Sequence, residues 1–103
     1  MPAERRDVDF VLTNRQKLRY RSEDRDHEVY TLELGGYQFG WTKISRGTGY
    51  RTIDDVTLGK IARQVHLQLK DLKSAIRCDL NWPDYAAVLQ AKFPVEKDKI
   101  PTS

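Results

Sequence analysis

His27 opens one alternating apolar run, and Arg19 and Arg21 stand at alternate positions of a shorter run just before it. Imidazole is the side chain whose ordinary pKa lies nearest neutrality, so it can take a proton from a hydroxyl and hand it on. Guanidinium groups beside it would stabilise charge developing on a phosphate. A histidine among arginines on one surface therefore holds the parts that RNA cleavage needs. His27 would be the general acid or base, with Arg19, Arg21 and Arg46 on the phosphates. The plainer interpretation is an ordinary surface histidine at a strand end. Asp26 could orient the ring or close the preceding loop, and the loop role suits it better.

A wider basic set gathers at the same end: Arg19, Arg21, Lys43, Arg46 and Arg51. Recognition of an RNA backbone by shape needs phosphate and 2′-hydroxyl contacts rather than base-edge readout, which suits such a cluster. Backbone amides of the stretch 45–49 and of the helix start beyond it add anion-binding capacity. A solvated basic edge is the competing interpretation, and Lys43 has its own as a cross-strand partner of Glu28. Tyr30, Tyr37, Phe39 and Trp41 are of the types that stack on bases. They share an expected face with Leu32 and Leu34, however, and this assigns them to the core. His66 falls near a helix end. No third ligand keeps useful spacing with either histidine, so neither a metal nor a cofactor is expected. Cys78 is read as a small packed apolar residue.

The stretch 28–44 must position these groups. Two alternating runs flank Gly35-Gly36, a pair that can take the positive φ angles of a two-residue turn. Counting outward pairs Leu34 with Tyr37, Leu32 with Phe39, Tyr30 with Trp41 and Glu28 with Lys43, all on one side of the sheet. His27, Val29, Thr31, Glu33, Gln38, Thr42 and Ile44 take the other side, which can stay wet. His27 then faces Ile44, and the alternation of 18–22 gives Arg19 and Arg21 the same wet side as His27, with Leu18 and Tyr20 beneath. Residues 22–26 are predicted as the loop between these strands.

Val8, Val11 and Leu12 give an amphipathic helix over about 4–16, with Phe10 off its stripe. Leu58, Ile61, Ala62 and Val65 give a second, capped by Thr52 or Asp54 with Asp55 near its positive end. A break near 66–68 precedes a third period at Leu69, Leu72 and Ile76. Asn81-Trp82-Pro83-Asp84 starts a further helix with Trp82, Tyr85, Ala86 and Leu89 as its stripe. The predicted fold is α+β: a three-stranded antiparallel sheet with helices on one face (α-β-β-β-α) and small C-terminal helices. One domain over 1–93 is followed by a polar, mobile tail at 94–103.

With 103 residues, 32% of them charged and 39% hydrophobic, the chain suits one small, well-solvated core. A net charge of +3 permits a nucleic acid or an acidic protein as partner. The single cysteine excludes an internal disulfide and fits a reducing cytoplasm. No apolar run is long enough to span a bilayer, and no secretory signal is expected from the first residues.

About residues 4–69 resemble the HicA-type toxins. The shared features are Arg5-Arg6-Asp7-Val8 in the opening helix, the loop ending Asp26-His27, the strand exit Thr42-Lys43-Ile44-Ser45-Arg46-Gly47, and the closing helix from Thr52. The resemblance implies a fold like that of double-stranded-RNA-binding domains and a metal-independent mRNA interferase with a catalytic histidine, His27, on the sheet. It also implies RNA as substrate and an antitoxin protein as partner. Two departures stand out: Arg25-Asp26 replaces the small residues that precede the family's histidine, and residues 70–93 extend beyond the minimal pattern. Outside the family reading, the segment 58–77 has the spacing of a helix-turn-helix, with His66 where the tight turn usually has Gly. That leaves a non-catalytic nucleic-acid-binding module, or a protein-interaction domain using the C-terminal helices, as alternatives.

Overall fold

A two-residue strand, β1 (Ala3–Glu4), leads into α1 (Arg5–Thr13), whose buried side is Val8, Val11 and Leu12 while Phe10 is exposed. The computed structural model describes residues 3–24, 27–45, 52–77 and 79–102, with the backbone alone at Asp24, His27 and Ser45. After α1 the chain folds back on the helix end. The amides of Leu18 and Tyr20 donate to the carbonyls of Val11 and Leu12, which have no partner within the helix. Arg19 takes a left-handed φ of 61° in this return, so no strand forms through it. Leu18 and Tyr20 are buried as expected, but the strand β2 is Arg21–Asp24. The predicted loop at 22–26 is therefore strand over 22–24, and its residues 25 and 26 lie outside the described residues. An edge strand with one wet face accepts Ser, Glu and Asp because its ladder is made by the backbone.

β3 (His27–Leu34) and β4 (Tyr37–Ser45) complete an antiparallel sheet of order β2-β3-β4. Gly35 and Gly36, at φ 58° and 82°, form the turn between them. Leu34 pairs with Tyr37 and Glu33 with Gln38, as the outward count requires. Beyond that point a β-bulge shifts the register, so Leu32 pairs with Gly40, Thr31 with Trp41, Tyr30 with Thr42, Val29 with Lys43 and Glu28 with Ile44. Phe39 is the one residue of β4 without an opposite number on β3. The expected Leu32–Phe39 and Tyr30–Trp41 pairs are overturned, with the expectations that depend on them. Trp41 leaves the core face, Thr42 and Ile44 enter it, the Glu28–Lys43 pair does not form, and His27 pairs with Ser45 instead of Ile44.

Gly40 supplies the physical reason. A Cβ built there would lie 2.0 Å from the Tyr20 hydroxyl oxygen, so the site accepts only glycine while Tyr20 fills it. That hydroxyl donates to Tyr85 (2.7 Å), whose own hydroxyl donates to the Val65 carbonyl at 2.7 Å. Burial pushes both phenols well above their ordinary pKa, and they stay neutral donors. Phe39 meanwhile packs edge-on against Tyr37 and Phe93, with ring centroids 4.8 and 5.2 Å away.

Asp54 caps α2 (Asp55–Gln64), accepting from the Thr57 amide at 2.8 Å. β5 (Thr52–Ile53), which the sequence reading missed, pairs with β1. The helix ends in a Schellman motif: the amides of His66 and Leu67 donate to the carbonyls of Arg63 and Ala62, and His66 sits at φ 68°. α3 (Leu69–Ile76) and α4 (Trp82–Lys92) follow, and buried residues from all four helices join Tyr30, Leu32, Phe39 and Ile44 in one core. The helices therefore cover one side of the sheet. The segment expected to be a mobile tail carries a 3-10 turn (Lys97–Lys99), buries Ile100, and offers the Pro101 carbonyl to the Trp82 indole at 2.8 Å.

Candidate functional site

On the side of the sheet that the helices leave open, strand alternation and the shifted register build two rows. Arg21, Thr31 and Trp41 lie side by side across the three strands, and Glu23, Val29 and Lys43 form the next row. Strands about 4.8 Å apart put the first and last members of a row roughly 10 Å from each other. Together with Arg19, Glu33 and Gln38, most of these residues line a shallow groove of about 480 Å³. Trp41 is 38% exposed there, whereas Trp82 is 1% exposed in the core. The bulge thus delivers an indole to the wet face.

The cations differ in how committed they are. Arg19 lies over the Trp82 ring, its guanidinium carbon 4.3 Å from the centroid, and its Nε–H donates to the Arg15 carbonyl. Burial, then the Arg15 charge, lower its pKa from the ordinary value. It helps seal the core and contributes one edge to the groove. Arg21 and Lys43 are exposed and have no ion-pair partner among the described residues. Lys43 also lines a second groove, between β4 and α2, where Arg5 and Lys60 add positive charge. Two carboxylates, Glu23 and Glu33, share the open face, so the groove has mixed charge, with its cations Arg19 and Arg21 on the β2 side and Lys43 beyond it on β4.

Glu28, freed from Lys43, accepts a hydrogen bond on the core side. The Tyr30 hydroxyl stands 2.6 Å from a Glu28 oxygen and 2.7 Å from one of Asp9. One phenolic hydrogen serves one of these acceptors at a time. Burial and both carboxylates push the Tyr30 phenol far up, so it remains a neutral donor.

His27 is the first residue of β3, and its backbone pairs with Ser45 at the end of the sheet. Its side chain, with Asp26, Arg51, Cys78 and residues 46–50 (Arg46 among them), lies outside the described residues. The structure thus brings together Arg19, Arg21 and, one row along, Lys43. His66 is placed elsewhere: its Nε2–H donates to the Phe39 carbonyl at 2.6 Å, and its ring packs on Phe93. Among the described residues no cluster of three or more His, Cys, Asp or Glu is arranged to hold a metal ion, and no helix is long and apolar enough to cross a membrane.

Family models, curated proteins and solved structures yielded no match to this chain.

Of the residues that pattern reading put on the wrong side (Trp41, Thr42, Lys43 and Ile44), Trp41 is the one that sequence reasoning left out of the site. Its signal was present in Gly40, since a lone glycine inside a strand pattern marks a bulge or a close backbone approach. The segment 58–77 does form two helices around a left-handed turn at His66. Leu58, Ile61, Ala62, Leu72 and Ala75 bind that pair into the core, and Lys73 of α3 is held by Asp55 at 3.1 Å.

Proposed function

We propose that this protein is a HicA-like toxin that binds RNA on the open face of β2-β3-β4 and cuts it with His27 as the acid–base group. The supporting observation is the pair of exposed cations, Arg21 and Lys43, that the register leaves unpaired on that face among the described residues. Charged side chains without a carboxylate partner suit phosphates, which release counterions as they bind. Arg19 borders the same groove, and Arg46 and Arg51 extend the basic set in sequence.

In the proposed reaction the His27 imidazole removes the 2′-hydroxyl proton, and the resulting oxygen attacks the adjacent phosphorus. The bond to the 5′-oxygen breaks, that oxygen takes a proton from solvent, and a 2′,3′-cyclic phosphate remains. Guanidinium and ammonium groups stabilise the charge on the phosphoryl oxygens. The chemistry asks nothing of a metal or cofactor, and a cytoplasmic setting agrees with the single cysteine. An antitoxin protein would act by covering the open face.

Anisotropy titration of labelled RNA at several salt concentrations tests the binding half. Affinity should fall steeply with salt, and Arg21→Glu and Lys43→Glu should each weaken it. RNA bound equally well by both variants would remove this face from the account.

A further inference from the structure

We infer that Trp41 is a stacking platform for one unpaired base, so the open face selects a single strand over a duplex. This inference rests on the RNA-binding reading above and adds the form of the RNA to it. The register shift is what carries it. The bulge at Phe39 turns the indole away from the aromatic core, where Tyr30 and Phe39 remain, and leaves it exposed on an edge strand. At 38% exposure part of the indole is open to the groove and can be reached by a ligand there.

Its surroundings indicate what covers it. Thr31 and then Arg21 continue the same row, Lys43 lies two residues along β4 on the same face, and Gln38 borders the groove. Glu23 and Glu33 share the groove, so the phosphates go to Arg21 and Lys43 while the base lies on the indole, between polar side chains that can bond its edge. An apolar protein partner would leave Arg21 and Lys43 without counter-charges. A paired base could not reach the ring, because its faces are occupied by its neighbours in the duplex.

Three probes of one sequence test this: single-stranded RNA, the same RNA as a duplex, and single-stranded DNA. Each is titrated into the native protein, Trp41→Phe and Trp41→Leu, with binding and tryptophan fluorescence read together. Circular dichroism and unfolding midpoints confirm that the variants fold. Single-stranded RNA should quench the native fluorescence and leave Trp41→Phe, which retains only the covered Trp82, unchanged. Trp41→Leu should bind the single strand about tenfold more weakly, and Trp41→Phe should keep most of the affinity. Equal binding of single-stranded DNA supports the stacking role while overturning a restriction to RNA. Native affinity in Trp41→Leu, or duplex bound as tightly as single strand, overturns the inference and leaves RNA binding intact. Failure of every probe to bind would instead overturn the RNA-binding reading beneath it.

Discussion

His66 donates its Nε2–H to the carbonyl of Phe39 at 2.6 Å, tying the left-handed residue after α2 to the unpaired residue of β4. Two local irregularities thus hold each other in place. The bulge sets which side chains of β4 face water, so a bond on the helical side of the sheet helps to decide what the open side presents.

Substitution at residue 66 separates the two parts of this link. His66→Gly removes the side-chain bond but accepts the positive φ, whereas His66→Ala loses the bond and is strained as well. His66→Ala should be destabilised, whereas in His66→Gly the relief of the strain that His66 already carries offsets the lost bond, leaving Ala the worse by about 1 kcal/mol. Denaturant unfolding of the two variants checks the order.

The same residue gives a pH dependence. Burial lowers the His66 pKa below its ordinary 6.5; the bond to Phe39 opposes this, and the Lys92 charge lowers it further. The unfolded chain therefore takes up the proton first. Stability should be intact above the unfolded pKa, fall as the pH drops through it, and level off below the folded value. Unfolding midpoints measured from about pH 8 to pH 5 should show this slope in the native protein and lack it in His66→Asn.

Gly40→Ala forces a methyl group into the Tyr20 hydroxyl and should cost about 1–3 kcal/mol. Tyr20→Phe removes the atom in closest contact, though ring carbons remain within 2.9 and 3.2 Å. The double variant should be less destabilised than the two single changes added together. Simple additivity in a double-mutant cycle would mean that Gly40 is not required by Tyr20.

At the C-terminus, Ile100→Ala should cost about 2 kcal/mol or more, since the side chain is buried in the common core. A tail detached from the domain would show no change in thermal or denaturant unfolding.

How far the sequence could be read follows from these residues. Helical spacing found Val8, Val11 and Leu12, the stripe Leu58, Ile61 and Ala62, and the face Trp82, Tyr85, Ala86 and Leu89, because each period is local and strong. Gly35-Gly36 placed the hairpin turn and the α+β layering. Alternation failed in β4, since one inserted residue reverses every later side chain. Its cause is a tertiary contact, Tyr20 against Gly40, that no pattern within the strand contains. The Ile100 contact was hidden for a similar reason: a single apolar residue among polar neighbours has no period. Alternation placed Arg21 on the open face, whereas Arg19 reaches the groove's edge from a left-handed turn outside the strand; the bulge added Trp41 and released Lys43.

Amide and indole chemical shifts in an NMR titration with single-stranded RNA test the central claim most directly. The account expects the largest changes at the amides of Arg21, Thr31 and Lys43 and at the Trp41 indole N–H, with the Trp82 indole unmoved. Changes confined to the segment 58–77, with the open face of the sheet silent, would contradict it and favour binding through the two helices around His66.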